Sequence, residues 1–539
     1  MAKTQVVDVL GRLGLTNTTR NRICDTPVYI ADPLLVTERS VSEVDGETVE
    51  WELFEPALTI QYVLDEAPNL REHYVRKLSE CPGMWNIILG YDEFVPGDKL
   101  NTDNERKTMV VTLNFAELGV HVLDCDHTWF TLVALRANKI DQMSAGWSQA
   151  LQQFLARLLL GPLSLITAGV SFLHEGVAHM LHATLGAMIS DGDGHRQGLQ
   201  WLGANALRPC FIHSNVFKLD SELGFVEVDE HDFSKFEVAT AELHHSHADA
   251  LMAVLAQVEA GLLPRVRYEE LKTATGLKCT ACGLLASQGL RRAFDIIKVI
   301  VVDYMHTLFQ AGVMSIEMYE VVDAEEIEPE RIQDDLLTWQ FPQSCSHKGR
   351  QLHRLFSEHR AGKAEENRQI TGSCGEQFGL YGLLRHFIET EVAHASPAVR
   401  SFLAACKLLD IIKLCKWEQL DVASGRVLFK RAVKDFLKKH KAAYGKRRII
   451  PKHHWLFDVA ESAFKFEMVL GMWQTERLHL RAKAEADRFR NTTTFERSYA
   501  TFDGLGFASG IAAHGGRLEG DRERKRERER ERERERNES

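Results

Sequence analysis

Two aspartates follow apolar runs of the chain, and this placement predicts a metal-dependent site. Asp92 is the first carboxylate after the run Trp85–Tyr91, which a Pro-Gly pair soon closes in the manner of a buried strand. Asp191 follows a second run, Leu181–Ser190. Adjacent carboxylates ionise together at low cost only beside a cation, and Mg²⁺ (or Mn²⁺ in its place) suits their oxygen atoms. The alternative for Asp92 is a solvated aspartate at a strand end.

Two short pairs have the internal spacing of zinc ligands, Cys210-x-x-His213 and Cys279-x-x-Cys282. Together they offer four sulfur and nitrogen atoms, which is enough to close a tetrahedral structural zinc site. The pairs are too far apart in sequence for a compact finger, so an insertion domain would have to bring them together. Buried thiols within helical sequence are the alternative.

Histidines recur at two further places. His244, His245 and His247 could supply a ligand to the zinc site, and a solvated histidine cluster is the favoured alternative. Asp303 and His306 are three residues apart, which places them on one face if the segment is helical. This pair would lie near the active site, or it would form a buried Asp–His hydrogen bond.

A concentration of positive charge between Arg426 and Lys452 is the feature that could contact DNA. Ten Lys and Arg residues lie between Arg426 and Arg448, against the single acid Asp435. Apolar residues recur among them at helical spacing, so one face of a helix packs and the other is cationic. The residues expected to contact DNA are Lys430, Arg431, Lys434, Lys438, Lys439, Lys441, Lys446, Arg447 and Arg448. A solvated face is the alternative.

The composition of the whole chain restricts its class. A chain of 539 residues that is 45% hydrophobic buries more than one core, so roughly two or three domains are expected. Its net charge of −11 excludes a globally basic nucleic-acid binder, so attraction to DNA would be local. The ten scattered cysteines fit a reducing compartment. No secretory signal, membrane-spanning run, P-loop or serine-hydrolase motif is expected from the sequence.

The elements that would position the carboxylates alternate between strands and helices. Strands are predicted at Thr48–Phe54, Trp85–Tyr91, Lys107–Leu118, Thr128–Ala137 and Leu181–Ser190, and helices at Val6–Leu15, Pro56–Glu80 and Ser144–Leu160. In an RNase H-like fold this order gives three antiparallel strands with the fourth beside the first. That pairing would bring Asp92 and Asp191 together at one edge of the sheet.

Five segments form an ordered series of motifs. The first is DEFVPG, Asp92–Gly97, and the second starts at Asp191, passes through a tryptophan and ends in Pro-Cys-x-x-His. The third is DYMH with a following Gly-Val, within Asp303–Val313. The fourth is PKHHWLF, Pro451–Phe457, and the fifth is TERLH followed by NTTTFER, within Thr475–Arg497.

In this order the segments resemble the motifs of DDE transposases of the CACTA and KDZ types. The resemblance covers about Glu50–Ser498, with two departures, since His213 replaces a cysteine and Leu478 replaces a basic residue. It implies a transposase, or a protein derived from one, that uses two Mg²⁺ ions for DNA phosphodiester cleavage and strand transfer. The alternative is a domesticated protein that binds DNA or chromatin without turnover. Both imply a nuclear protein with no membrane partner, and both are compatible with a homodimer.

The resemblance also assigns the metal ligands. Asp92 and Asp191 would hold the catalytic ions, with Asp193 as the alternative to Asp191. The third carboxylate would be Glu476, because helical sequence surrounds it. Its competitor is Glu376, which would otherwise cap the first turn of an apolar helix.

The predicted fold is mixed α/β and predominantly helical. An RNase H-like core, with a mixed five-stranded sheet and flanking helices, would be interrupted by a large α-helical insertion. The expected parts are a helical lead segment 1–84, the first part of the core 85–200, an insertion 201–450 with the zinc site, a return to the core 451–500 and a tail 501–539. Alternating Arg and Glu make the tail a solvated single helix or a disordered segment.

Overall fold

The computed structural model describes most of the chain. The described residues are 34–42, 47–95, 107–125, 128–216, 235–341, 351–392, 394–445, 448–473 and 476–477. They form two compact units. Unit 1 takes the described residues of Met1–Met143, Gln153–Leu185 and Gln474–Ser539, and unit 2 takes those of Ser144–Gln152 and Gly186–Trp473.

Strands and helices alternate in the first half of the described chain, and helices dominate the second half. The strands are β1 (Leu35–Val41), β2 (Thr48–Phe54), β3 (Met84–Phe94), β4 (Thr108–Phe115), β5 (Phe130–Arg136), β6 (Val170–His174), β7 (Val177–Ser190), β8 (Ile300–Val302), β9 (Phe464–Lys465) and β10 (Met468–Val469). The helices are α1 (Pro56–Glu66), α2 (Pro68–Glu80), α3 (Val120–Leu123), α4 (Ala137–Ile140), α5 (Trp147–Leu160), α6 (Gly192–Leu199), α7 (Ala241–Glu259), α8 (Arg265–Thr275), α9 (Gln288–Ala293), α10 (Ile296–Val299), α11 (Tyr304–Leu308), α12 (Val313–Ala324), α13 (Pro329–Thr338), α14 (Glu358–Asn367), α15 (Cys374–Glu391), α16 (Pro397–Lys416), α17 (Val422–Tyr444) and α18 (Pro451–Ser462).

The sheet of unit 1 has the strand order β1-β2-β5-β4-β3-β7-β6. Strands β3, β4 and β5 form an antiparallel meander, in which Leu89 is opposite Leu113 and Val111 is opposite Val133. Every residue of β4 and β5 is buried, as expected for apolar strands that are covered on both faces. The meander is therefore the interior of unit 1, and β3 delivers Asp92 from it.

Helices α1 and α2 occupy the segment that the apolar spacing predicts as one helix, Pro56–Glu80. The helix is interrupted because Pro68 disfavours helical backbone at the residue before it, and α1 ends at Glu66. Tyr74 of α2 packs on two buried rings of the sheet, Trp85 of β3 at a centroid distance of 5.6 Å and Phe115 of β4 at 6.0 Å. These contacts fasten α2 to the strand that carries Asp92.

Strand β7 carries the chain from unit 1 into unit 2. Its first residues pair antiparallel with β6. Its last residues, in unit 2, pair in parallel with β8, from Met188 opposite Ile300 to Ser190 opposite Val302. Because parallel strands run in the same direction, the residues that follow them, Asp191 and Asp303, leave the sheet at the same edge.

The helices of unit 2 are tied together by a buried polar network. Glu317 of α12 and His440 of α17 are fully buried, with His440 Nδ1 at 2.5 Å from Glu317 Oε1. The hydroxyl of Ser401, on α16, donates to the same carboxylate oxygen at 3.0 Å. The network joins three helices and supplies Glu317 Oε1 with two partners, which lowers the cost of burying this carboxylate.

The prediction of a mixed α/β chain rich in helix is confirmed. The five predicted strands correspond to β2, β3, β4, β5 and β7, and the predicted helix Ser144–Leu160 corresponds to α5. The helix predicted at Val6–Leu15 and the charged tail 501–539 lie outside the described residues, and the predicted domain boundaries stay predictions. Within the described chain, every helix is too short or too polar to cross a membrane.

Candidate metal centre and strand-end carboxylates

Asp92, the first predicted metal ligand, lies in unit 1 near the end of β3. It is opposite Val110 of β4 and only 7% exposed. Its Oδ1 accepts a hydrogen bond from the backbone N–H of Glu93 at 2.8 Å. This burial argues against the alternative of a solvated aspartate, because a buried carboxylate needs hydrogen bonds or a cation.

Glu476, the predicted third carboxylate, is also in unit 1. It is half-buried in helical backbone beside Arg477, which donates a hydrogen bond to the carbonyl of Asp124 at 2.7 Å. Its competitor Glu376 is in unit 2, where its Oε2 accepts hydrogen bonds from the N–H and the hydroxyl of Ser373, both at 2.8 Å. Glu376 therefore closes a capping box at the start of α15, as its structural alternative predicts.

Asp191 lies in unit 2 directly after β7 and caps α6. Its Oδ1 accepts a hydrogen bond from the N–H of Gly194 at 2.6 Å. Two glycines follow Asp191 closely in sequence. A Cβ on the first, Gly192, would lie 2.8 Å from the ring of Trp455. A Cβ on Gly194 would lie 2.0 Å from the hydroxyl of Ser190. The two glycines thus let the chain turn closely around the Asp191 carboxylate.

Asp193, the alternative to Asp191, has a different environment. Its side chain is 68% exposed and forms an ion pair with Arg196, one turn along α6. A solvated carboxylate that already holds an arginine is a poorer ligand for a metal ion than one positioned at the strand end. The geometry within unit 2 therefore favours Asp191.

Asp303 and His306 form the buried hydrogen bond that the sequence offered as the structural alternative. His306 Nδ1 is 2.6 Å from Asp303 Oδ2, and the His306 N–H donates to the same oxygen at 2.8 Å. The N–H of Met472 donates to Oδ1 at 2.8 Å. Burial raises the pKa of Asp303, but the hydrogen bonds from His306 and Met472 outweigh it and hold the pKa below its ordinary value. Asp303 is thus an ionised cap of α11.

Lys452 supplies positive charge to this edge of unit 2. Its Nζ donates to the carbonyl of His306 at 3.0 Å and also to the carbonyl of Gln310. Burial lowers the pKa of Lys452, and the charge of Asp191 opposes this shift most strongly, with a smaller effect from Asp303. The ammonium therefore belongs to the electrostatic environment of both carboxylates.

Four side chains of unit 2 form a second site, the metal cluster Cys210, His213, His454 and Asp458, whose ligand atoms all lie within 4.8 Å of one another. Asp458 Oδ1 is 3.3 Å from Cys210 Sγ, 2.7 Å from His213 Nδ1 and 3.7 Å from His454 Nε2. A tetrahedral ion with bonds of about 2.0–2.3 Å separates its ligand atoms by about 3.3–3.6 Å. The cluster could therefore hold a metal ion after only small shifts.

A loop and a helix bring the four ligands together. His454 and Asp458 are one turn apart on α18, so they lie on the same face of it. Cys210 and His213 lie in the loop that follows α6, where the N–H of His213 donates to Cys210 Sγ at 3.2 Å. The loop turns so that both side chains meet the face of α18.

Burial and charge set the protonation of the side chains in the metal cluster. Burial, and then the charge of Asp458, raises the pKa of the Cys210 thiol. Burial lowers the pKa of His454 to about 4, so its ring is neutral and keeps a lone pair for a metal. The buried Nε2 of His454 has no hydrogen-bond partner, and coordination would satisfy it. A divalent ion would also stabilise the Cys210 thiolate.

The metal cluster contains one of the two predicted pairs and not the other. Cys279 is buried, with its Sγ 3.9 Å from the carbonyl of Thr280. Neither Cys279 nor Cys282 belongs to a group of three or more metal-binding side chains in the described part of the chain. Their places are taken by His454 and Asp458, whose H-x-x-x-D spacing was visible in the sequence. The sequence did not reveal that α18 returns to the Cys210 loop.

The histidine cluster of α7 is likewise separate from the metal cluster. The ring of His244 stacks on Phe211 at a centroid distance of 4.1 Å, and its Nε2 is 2.9 Å from the Phe211 carbonyl. Burial lowers the pKa of His244 to about 4. His245 and His247 are not part of any metal-binding group within the described residues.

The predicted DNA-contacting residues divide into three sets. Ion pairs hold Lys430 to Glu461 at 2.5 Å, Lys439 to Asp435 at 2.7 Å and Arg448 to Glu320 at 3.7 Å. Lys446 and Arg447 lie outside the described residues, and Lys441 is half-buried. Arg431, Lys434 and Lys438 are exposed on one face of α17, while Phe429, Val433, Phe436 and Leu437 are buried on the other. The predicted amphipathic helix is confirmed, with three exposed cations on its outer face.

A cavity of about 30 Å³ lies in unit 2 beside both sites. Its lining includes Ser190, Trp201, Asp303, Trp455 and Asp458. The Ser190 hydroxyl and the Trp201 indole N–H are buried without a hydrogen-bond partner. The volume suits about two water molecules, which would satisfy these groups.

Comparison of the chain with protein-family models and with curated proteins gave no match.

Proposed function

We propose that the chain is a DDE-type transposase, or a transposon-derived protein, that acts on nuclear DNA by metal-dependent phosphodiester cleavage and strand transfer. One observation carries the proposal, namely the strand order β5-β4-β3-β7 with β8 in parallel beside β7. An antiparallel meander whose first strand bears the buried Asp92, followed by a strand that leads to Asp191, would correspond to the mixed five-stranded sheet of an RNase H-like core. The helical segment 201–450 would then be the insertion.

In this proposal Asp92, Asp191 and Glu476 are individually required as ligands of Mg²⁺ or Mn²⁺. Carboxylate oxygens are the ligands that these cations prefer. The bound ions would activate the attacking water or 3′-hydroxyl and stabilise the leaving oxygen. The hydrogen bond from Gly194 fixes the orientation of Asp191. Lys452 offsets the charge of Asp191 and Asp303, which weakens their repulsion of DNA phosphates.

We assign zinc to the metal cluster. Sulfur, nitrogen and oxygen ligands at near-tetrahedral separations suit zinc better than magnesium. All four positions are filled by protein side chains, three of them buried and His454 partly exposed, and a site closed by four protein ligands is typical of a structural site rather than a catalytic one. The ion would fasten α18 to the Cys210 loop, and with α18 it would position Lys452 and Trp455 beside Asp191.

The test is a nicking and strand-transfer assay on duplex DNA in Mn²⁺. We expect Asp92→Asn and Glu476→Gln each to reduce cleavage by more than about 100-fold, because each removes a metal ligand. Glu376→Gln is the matched control, since it changes a helix cap and should leave most of the activity. Equal cleavage by the wild type and both ligand variants would refute the catalytic role.

A second candidate function, DNA binding without turnover, is favoured by the outer face of α17. Arg431, Lys434 and Lys438 are exposed there at spacings of three and four residues. Such a face can neutralise several phosphates, and binding would then weaken steeply with salt. This function needs the metal cluster and the cationic face but none of the three carboxylates.

The salt dependence of DNA binding tests this candidate. Replacing Arg431, Lys434 and Lys438 together with glutamine should reduce the slope of log affinity against log salt by about 3, because each contacted phosphate contributes about one. A matched triple replacement of Lys363, Lys407 and Arg400, which lie on other helices, should leave the slope unchanged. An unchanged slope in the α17 variant would exclude this face as the DNA contact.

A further inference from the structure

Three aromatic rings of unit 2 surround the amino group of one lysine. The Nζ of Lys413, on α16, is 4.2 Å from the ring centroid of Tyr381, 4.6 Å from Phe378 and 5.9 Å from Trp417. Phe378 and Tyr381 are one turn apart on α15, and Trp417 directly follows α16, one turn beyond Lys413. We name Phe378, Tyr381 and Trp417 the aromatic cage. All three distances fall within the reach of cation–π attraction, about 6 Å.

The ammonium of Lys413 forms no hydrogen bond or ion pair with any residue that the structure describes. Asp410, one turn earlier on α16, is already held by Arg385 at 2.7 Å and by the Tyr381 hydroxyl at 3.2 Å. A lysine ammonium carries three donors, which ordinarily point at water or at oxygen atoms. Here the neighbouring groups are mainly the faces of aromatic rings.

We propose that Lys413 is a site of Nζ-methylation, and that the aromatic cage binds the methylated ammonium more tightly than the unmodified one. Methylation keeps the positive charge and replaces N–H donors with methyl groups. No hydrogen bond to the described protein is lost, because the Lys413 ammonium makes none with it. The methylated ammonium also sheds water more readily, and aromatic cages are the recognised receptors for such cations.

The cage has room for the change and is open to solvent. Trp417 lies at the outer limit of cation–π contact, so a methyl group fits before the ring comes within the van der Waals distance of about 3.5–4.0 Å. Trp417 is 60% exposed and Lys413 is half-buried, so the amino group is near the surface. Burial also lowers the pKa of Lys413, which increases the fraction of neutral amine.

The modifying step needs a methyl donor and a separate methyltransferase. Lys413 first gives a proton to solvent, and its neutral Nζ then attacks the methyl carbon of a sulfonium donor of the S-adenosylmethionine class. A C–N bond forms as the C–S bond breaks, and the electron pair of that bond leaves on sulfur as a thioether. A further methyl group requires a further deprotonation and a second donor molecule.

The cage is tested by reductive methylation of the full chain with ¹³C-formaldehyde and a borane reductant, followed by ¹H–¹³C correlation NMR. We expect one dimethylammonium signal shifted upfield of the exposed lysines, because ring currents of the cage act on it. The signal should disappear in Lys413→Arg and remain in Lys407→Arg, a matched control on the exposed side of α16. Trp417→Leu should move it back toward the exposed lysines.

Three results would overturn the proposal. The first is an upfield signal that persists in Lys413→Arg. The second is the absence of such a signal when peptide mapping shows Lys413 to be methylated, and the third is an unmodified Lys413 under conditions that methylate Lys407. The biological modification is tested by peptide mass mapping of the full chain purified from cells that express it. A methylated Lys413 is expected there, and a uniformly unmodified Lys413 contradicts it.

Discussion

At the scale of single residues, the chemistry of the molecule depends on which polar groups are buried and what holds them. Asp303 and Glu376 make strong local hydrogen bonds, so they are structural caps. Asp92 is buried near a strand end, where a cation would lower the cost of its charge. Asp458 is buried beside a thiol and two imidazoles, a donor set that could hold a metal ion.

Zinc content is the first prediction at this scale. Cys210→Ser should lower the bound zinc of the purified chain from about one ion to near zero, because oxygen of a neutral hydroxyl replaces the thiolate ligand. Elemental analysis with a protein assay measures the ratio. Cys282→Ser is the matched control and should retain the ion. Loss of zinc from the Cys282 variant with retention in the Cys210 variant would exchange the roles of the two predicted pairs.

Only some of the metal ligands and hydrogen-bonded pairs could be predicted from the sequence. Cys210 and His213 were found because their spacing is local, and the Asp303–His306 hydrogen bond was found for the same reason. His454 and Asp458 were missed as ligands because their partners lie more than two hundred residues earlier, as the Cys210–Asp458 contact shows. Contacts of that length depend on the tertiary fold, which no local pattern specifies.

At the scale of elements, α18 organises unit 2. It carries two ligands of the metal cluster, the Trp455 ring that packs against Gly192, and Lys452 beside the strand-end carboxylates. Its far end is fixed to the sheet, because the N–H of Val302 donates to Ser462 at 2.9 Å. The position of α18 therefore controls both sites.

The contact between α18 and α6 leads to a stability prediction. Gly192→Ala should destabilise the chain by about 1–3 kcal/mol, because the added Cβ would lie 2.8 Å from the Trp455 ring. Gly382→Ala on α15 is the control, since a Cβ there meets nothing within 4 Å. It should be neutral or stabilise by up to about 1 kcal/mol, through the higher helix propensity of alanine. Urea unfolding measures both, and equal stability of the two variants would contradict the packing.

The sequence was most informative about elements with continuous apolar patterns. Strands β3, β4 and β5 were predicted because runs of buried residues continue along them. The break between α1 and α2 was missed, although Pro68 was its local cause. Strand β8 was missed because three residues are too few to carry a pattern.

At the scale of the whole molecule, the chain combines a strand-rich unit and a helical unit, joined through β7 and α5. The resemblance to DDE transposases concerns this scale, because its motifs are spread over both units. Among the described motif residues, Asp92 is buried, Asp191 caps α6 and Asp303 is hydrogen-bonded to His306, so each also has a local structural explanation. The functional proposal therefore depends on whether these residues are required together for DNA cleavage, which an activity assay tests.

Acid sensitivity is a prediction for the molecule as a whole. Burial lowers the pKa of His244 and of His195 from 6.5 to about 4. Below pH 6.5 the unfolded chain binds protons that the folded chain does not, so stability should fall between pH 6.5 and 4 and be independent of these groups above it. Each histidine should contribute a slope of about 1.4 kcal/mol per pH unit.

Urea unfolding at a series of pH values measures this slope. His244→Gln should lower the number of protons taken up on unfolding by about one, and the slope should fall accordingly. His359→Gln, at an exposed position, should leave the slope at the wild-type value. A slope that is the same in the wild type and in His244→Gln would show that burial of His244 does not drive the acid sensitivity.

Whether Asp191 holds a catalytic ion is tested by comparing it with Asp193, two residues further along the chain. Mn²⁺-dependent nicking of supercoiled DNA should be abolished by Asp191→Asn, because the strand-end carboxylate is proposed to hold a catalytic ion. It should persist in Asp193→Asn, whose exposed side chain is paired with Arg196. Undiminished nicking by the Asp191 variant would contradict the proposed catalytic role, because DNA cleavage would then not depend on this carboxylate.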